Sequence, residues 1–91
     1  MMVALRRGQT IDRDEMLMKL VDIQYERNDV SFERGRFRVR GDCVEVWPSY
    51  EEYGFRIELW GDDVDQLSTI NTTSGEVLSQ QDQLFVYPAK H

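Results

Sequence analysis

Between Ile11 and Arg27 the apolar residues recur at helical spacing: Met16, Leu17, Leu20 and Ile23 share one face, with Val21 at its edge. Asp12 can cap this segment, Glu15 three residues on completes a capping-box pattern, and Ile11 and Met16 hold the two positions of a hydrophobic staple. Asn28 and Asp29 tolerate turn conformations and are expected to end the helix. After Ser31 the period falls to two. Arg36–Arg40 alternates cationic and apolar residues as a half-buried strand does, and Gly41-Asp42 is a turn signal. Cys43–Trp47 reads as a second strand, stopped by Pro48-Ser49, so the pair predicts an antiparallel hairpin. Phe55–Trp60 is a third alternating run, closed by Gly61-Asp62. Val64–Asn71 and Val77–Leu78 form a further hairpin about Thr73-Ser74-Gly75, and Leu84–Tyr87 is a last short strand before Pro88. The expected fold is α+β: one N-terminal helix followed by a mostly antiparallel, meandering sheet of about five or six short strands.

Length and composition bound this picture. The chain has 91 residues, of which 41% are apolar, enough for one domain over residues 1–91 with a modest core. Its lone cysteine, Cys43, cannot form an internal disulfide, which fits a reducing compartment. No apolar run approaches the roughly 20 residues that span a bilayer, and the start, MMVALRRGQT, lacks the longer apolar stretch of a secretion signal. A soluble, cytoplasmic domain with no membrane association is expected.

Charge is distributed unevenly within a formal total of −6. Residues 27–40 carry five arginines against two acids, whereas residues 41–91 carry ten acids against two basic groups. The acidic excess opposes general attraction to nucleic acid or anionic membrane, and leaves the basic island to be explained.

Catalytic chemistry has little to work with. The six glycines are scattered and form no phosphate loop. His91 is the last residue, with no nearby nucleophile in sequence, and Cys43 opens an apolar strand as a structural thiol would. Asp62-Asp63-Val64-Asp65 lacks the glycine and distal glutamate of a calcium loop, and adjacent Glu51 and Glu52 do not form an acid–base pair. Arg40-Gly41-Asp42 and Asn71-Thr72-Thr73 match an adhesion tripeptide and a glycosylation acceptor, both meaningful only in a secreted context. No enzyme activity, metal or cofactor is expected.

The arginine stripe differs. Alternation puts Arg36, Arg38 and Arg40 on one face about 7 Å apart, with Phe37 and Val39 toward the core. On the third strand it puts Arg56 and Glu58 outward. If these strands adjoin, the open face carries Arg38, Arg40, Glu45, Arg56 and Glu58. Such a face can be an ordinary solvated surface with cross-strand ion pairs. Its cations are all arginine, however, which suits oriented bidentate recognition, and they gather against the charge of the whole chain. A polar protein partner fits best, since neighbouring Arg and Glu side chains can fix its orientation. The reading from another class is single-stranded DNA binding, with Trp47, Trp60 or Tyr50 as stacking platforms, which the stripe must support against the acids around it.

The run Leu20–Asp29 (LVDIQYERND), then Phe32, then Gly35–Asp42 (GRFRVRGD), resembles the bacterial UvrB family. Val44-Glu45-Val46 before Pro48, Arg56-Ile57-Glu58 before Gly61-Asp62, Thr73–Val77 and the closing Tyr87–His91 extend the resemblance over about residues 3–91. The part matched is domain 2, an insertion in a longer protein. UvrB is the damage-verifying subunit of nucleotide excision repair, and the resemblance implies that this domain docks onto UvrA so that UvrB is delivered to damaged DNA. It implies docking residues at Arg27, Arg38, Arg40, Arg56 and Glu58, all of which keep the family identity; Arg27 is not on the stripe read from alternation. It implies no cofactor and no nucleic-acid binding by this part, with UvrC and damaged DNA as partners of the longer protein. The transcription-repair coupling factor, which also recruits UvrA, shares the RFRVRGD and RIELW strands but not the VDIQYERND helix.

Overall fold

The computed structural model describes residues 1–90; the terminal histidine singled out from the sequence lies outside them. The elements in chain order are β1 (Val3–Arg6), α1 (Arg13–Asp22), β2 (Glu26–Arg27), β3 (Arg36–Arg40), β4 (Cys43–Val46), β5 (Gly54–Trp60), β6 (Asp63–Ile70), β7 (Val77–Gln81) and β8 (Gln83–Val86). Strands β2 to β7 form a six-stranded sheet in sequence order, antiparallel throughout except for the parallel β2–β3 pair. Strands β1 and β8 form a separate antiparallel ribbon, with Val3 opposite Val86 and Leu5 opposite Leu84.

This corrects the helix-first layout. A strand precedes the helix, and the last strand leaves the meander to pair with it. β1 holds only two inward positions, Val3 and Leu5, both buried, too short a run for period-two alternation to stand out. Its partner lies about 80 residues away in sequence, so nothing local announces the pairing.

The helix starts where expected and stops early. The Asp12 carboxylate accepts the backbone N–H of Asp14 at 2.9 Å, satisfying one of the orphan donors of the first turn. Ile11 and Met16 on either side of this cap are both buried in the core. Glu15 lies 3.7 Å from Lys19 Nζ, one turn on. At the other end Gln24 has φ 77°, the Gln24 N–H donates to Val21 O at 2.9 Å and the Tyr25 N–H to Leu20 O at 3.0 Å. These two bonds make a Schellman cap with a left-handed glutamine where glycine is usual. The chain therefore turns five residues before Asn28, and Glu26–Arg27 becomes an edge strand beside β3. Burial of Tyr25 and Leu20 next to the cap holds it in place.

One apolar cluster joins the layers. Phe37, Val44, Val46, Ile57 and Leu67 from the main sheet meet Met16 and Leu20 of α1, Ile23 at its C-cap, and Val3, Leu5, Leu84 and Val86 of the ribbon. Residues Gly8–Ile11 are tied to the β5–β6 corner by Gly8 N–H to Val64 O and Ile11 N–H to Asp62 O, both 2.7 Å. The chain beyond β8 returns to the helix end: the Ala89 N–H donates to Ile23 O at 2.9 Å and the Tyr25 hydroxyl to Tyr87 O at 3.0 Å. Burial pushes the Tyr25 hydroxyl pKa up to about 12, so it stays a neutral donor at all ordinary pH values.

The left-handed cap has a direct consequence. Gln24→Gly relieves the Cβ penalty at φ 77° and should raise stability by about 0.5–1 kcal/mol, whereas a β-branched residue there should lower it by at least as much. Urea unfolding of the variants, followed by circular dichroism, checks both signs.

Candidate functional site

The second face of the main sheet carries the arginine stripe. Strand register sets Arg38 opposite Glu45, Glu45 opposite Arg56 and Arg56 opposite Ser68, a row that crosses four strands. The next row sets Arg40 opposite Cys43 and Cys43 opposite Glu58. Hydrogen-bonded neighbours in a sheet lie about 4.8 Å apart, so each row is a line of side chains at contact spacing.

The face is not open, as alternation alone implied. The Glu45 side chain is 5% exposed, and its two oxygens divide between two arginines: Arg38 Nε donates to Oε1 at 2.6 Å and Arg56 Nε to Oε2 at 2.8 Å. The arginines are themselves largely covered, with 14% and 23% of their side chains exposed. Burial alone would push the Glu45 carboxyl up; hydrogen bonds and charge from Arg56 and Arg38 outweigh it and hold the group below the usual carboxylate range. Glu45 is therefore ionised at neutral pH.

Two loops close over this row. Residues 28–35 leave β2 through a turn in which Asn28 Oδ1 accepts the backbone N–H groups of Val30 and Ser31. This loop delivers the Phe32 ring to the Arg38 guanidinium, 4.3 Å from carbon to ring centroid, and tilts Phe32 against Trp47. Arg34 lies over the other aromatic and donates to Glu51 O at 3.1 Å. From the opposite side the β6–β7 turn brings the Gly75 carbonyl to Arg56 Nη2 at 3.0 Å. Gly75 has φ 78° and a Cβ there would lie 3.3 Å from that same Nη2, so glycine is needed both for the turn and for the close approach.

The five residues implied as a docking set are thus placed unequally. Arg38 and Arg56 are joined through Glu45. Arg40 is exposed at the end of β3 and makes no ion pair or side-chain hydrogen bond among the described residues. Glu58 is half-buried in the same row as Arg40, with Cys43 between them. Arg27 stands apart: its register partner is Phe37, and its guanidinium clasps Asp29 at 3.0 Å on the outer edge of the sheet. Asp29 in turn accepts the Val39 N–H at 3.0 Å, and these bonds, that of Arg27 foremost, hold its carboxyl below the usual range. Arg36 is committed to the loop, bonding Glu33 and Ser31 O. The thiol of Cys43 is pushed up by burial and by the Glu58 charge, which keeps it protonated and unreactive at neutral pH.

The alternation pattern placed Glu45 on this face but missed its burial and its bridging role. An acid flanked in register by two arginines was the available signal; the covering loops were not. The aromatic platforms of the DNA reading are not assembled into one surface. Trp47 is packed under Arg34, Tyr50 packs edge-on against Tyr87, and Trp60 is exposed at the far end of β5 beside acidic Asp62 and Asp63.

The UvrB interaction domain family matches residues 3–91. The chain is 53% identical over 91 residues to the UvrABC system protein B of Rhodopirellula baltica, covering all of this chain and 13% of that protein. It is 58% identical over 90 residues to that of Gemmatimonas aurantiaca and 54% identical over 90 residues to that of Streptomyces coelicolor, in each case 99% of this chain and 13% of the relative. The chain therefore spans about an eighth of the length of these relatives.

Breaking the bridge should be costly. Glu45→Gln removes the charge that two poorly exposed guanidinium groups share and should lower stability by about 3 kcal/mol. Because the folded pKa of Glu45 is depressed, its contribution is fully present above the ordinary glutamate range and is lost as pH falls through the lower folded value. The wild-type urea midpoint should accordingly drop below about pH 4.5, and the Glu45→Gln variant should show a smaller drop over the same interval. Separately, the buried Ser68 hydroxyl has no hydrogen-bond partner among the described residues, so Ser68→Ala should be neutral or stabilising by up to about 1 kcal/mol in the same measurement.

Proposed function

The chain belongs to the UvrB interaction domain family, and on that premise we propose that it is a non-catalytic docking domain of a longer nucleotide excision repair protein, binding UvrA through the second face of its main sheet. On this reading Arg38, Arg40, Arg56 and Glu58 make the contact, with Arg27 at the sheet edge, and docking serves to bring the parent protein to damaged DNA. UvrC and the DNA itself are partners of the remainder of the parent protein. The proposed setting is the cytoplasm; no helix among the described residues is long and apolar enough to cross a membrane.

The observation that carries the reading is the fixed cationic row. Two arginines share one buried carboxylate, so the row keeps net positive charge in a chain whose total is −6. Arg40 beside it has no internal ion pair among the described residues and is left available to a partner's acid. Such pre-set guanidinium groups favour a partner with matching carboxylates and lose little entropy on binding. A nucleic-acid strand would have to approach past ten acids in residues 41–91. It would also find its aromatic platforms dispersed.

Calorimetric titration with purified UvrA tests the proposal. Wild-type chain should bind, and Arg40→Ala, an exposed change that leaves the buried bridge alone, should weaken binding by about 1 kcal/mol. Arg38→Ala/Arg40→Ala should cost about 2–5 kcal/mol. Equal affinity of all three chains, each shown to be folded, would remove this face from the interface.

A further inference from the structure

We propose that Glu45 is a positioning residue for docking: it makes no contact with the partner but sets the two guanidinium groups that do. The inference rests on the docking reading above. Its grounds are geometric. Glu45 is 5% exposed, so a partner cannot reach its carboxylate. Both of its oxygens are spent on Nε atoms, one from each neighbouring strand. A guanidinium held by Nε still has its Nη donors for other acceptors. Arg56 spends Nη2 on Gly75 O, while the Nη groups of Arg38 make no hydrogen bond among the described residues. The Phe32 ring lies against the Arg38 guanidinium, its centroid 4.3 Å from Cζ. Each arginine is thus held at Nε and by one further neighbour, and keeps Nη donors with no hydrogen-bond partner among the described residues.

The arrangement also accounts for an acid being retained at the centre of a cationic docking row. Without it, two guanidinium groups that reach toward each other across the intervening strand would repel and swing apart, and a partner would have to gather them again on binding. A shared carboxylate meets that ordering cost during folding. Gly75 and Phe32 act with it, as supports for Arg56 and Arg38 in turn.

The test separates orientation from stability and from partner identity. Arginine Nε–H resonances of the free chain are recorded for wild type, Glu45→Gln and Glu45→Asp, and each chain is titrated into UvrA well below its unfolding midpoint. Wild type should show protected Nε–H signals for Arg38 and Arg56, assigned by substitution of each arginine so that the Nε–H groups of Arg27 and Arg34, bonded to Asp29 and Glu51 O, are told apart from them. Glu45→Gln should lose protection of at least one and bind UvrA about tenfold or more weakly while still giving a native near-ultraviolet spectrum. Glu45→Asp, which keeps the charge and the fold but shortens the reach, should also weaken binding if Glu45→Gln proves too unstable to titrate. A folded variant that loses the protected signals yet binds within twofold of wild type overturns the proposal, and so does retention of both signals in Glu45→Gln. Absence of binding by wild type instead overturns the docking reading, with the resonances still reporting whether Glu45 sets the arginines.

Discussion

A single buried carboxylate organises the second face of this sheet. Glu45 gives one oxygen to Arg38 on β3 and the other to Arg56 on β5, so three strands are tied side chain to side chain as well as through their backbones. Removing a carboxylate from water costs several kcal/mol, and a lone pair with one arginine often fails to recover it. Here two charge-assisted bonds of 2.6 and 2.8 Å meet the one acid, and its pKa stays depressed despite burial. The net effect is a row of fixed cations rather than a mobile fringe.

The flanking loops contact that row: the Phe32 ring lies against the Arg38 guanidinium, and the β6–β7 turn presents Gly75 O to Arg56. A small chain gains from this arrangement. Its apolar core serves one face of the sheet, where α1 and the β1–β8 ribbon close over it, and there is not enough apolar chain left to build a second core. Cationic, aromatic and backbone groups cover the other face instead, which leaves that face structured and still charged.

Fixed charge of this kind suits recognition between proteins. The surrounding acids suppress non-specific attraction to nucleic acid, while the arginine row keeps a local positive potential with defined donor directions. The chain belongs to the UvrB interaction domain family, and the geometry explains how a chain of net charge −6 can still hold a row of arginines on one face.

The sequence by itself determined the strands of the meander, because period two is written in consecutive residues: β3 runs Arg36–Arg40 as alternation predicts, and Gly41, Gly61 and Gly75 mark the turns with positive φ. It also determined which residues share the charged face, since register along a hairpin follows from its turn. Tertiary structure decided the rest. β1 is a strand only because β8 comes back to pair with it across nearly the whole chain, and α1 ends at Asp22, just before a left-handed Gln24 that sits between buried Leu20 and Tyr25 and that no glycine announces. Arg27 falls at the sheet edge and not in the row because that early turn sends it beside Phe37. Glu45 reads in sequence as one more solvated acid on a strand. Its two oxygens are met by arginines from both neighbouring strands, which two loops distant in sequence contact in turn, and a local pattern carries no information about that packing.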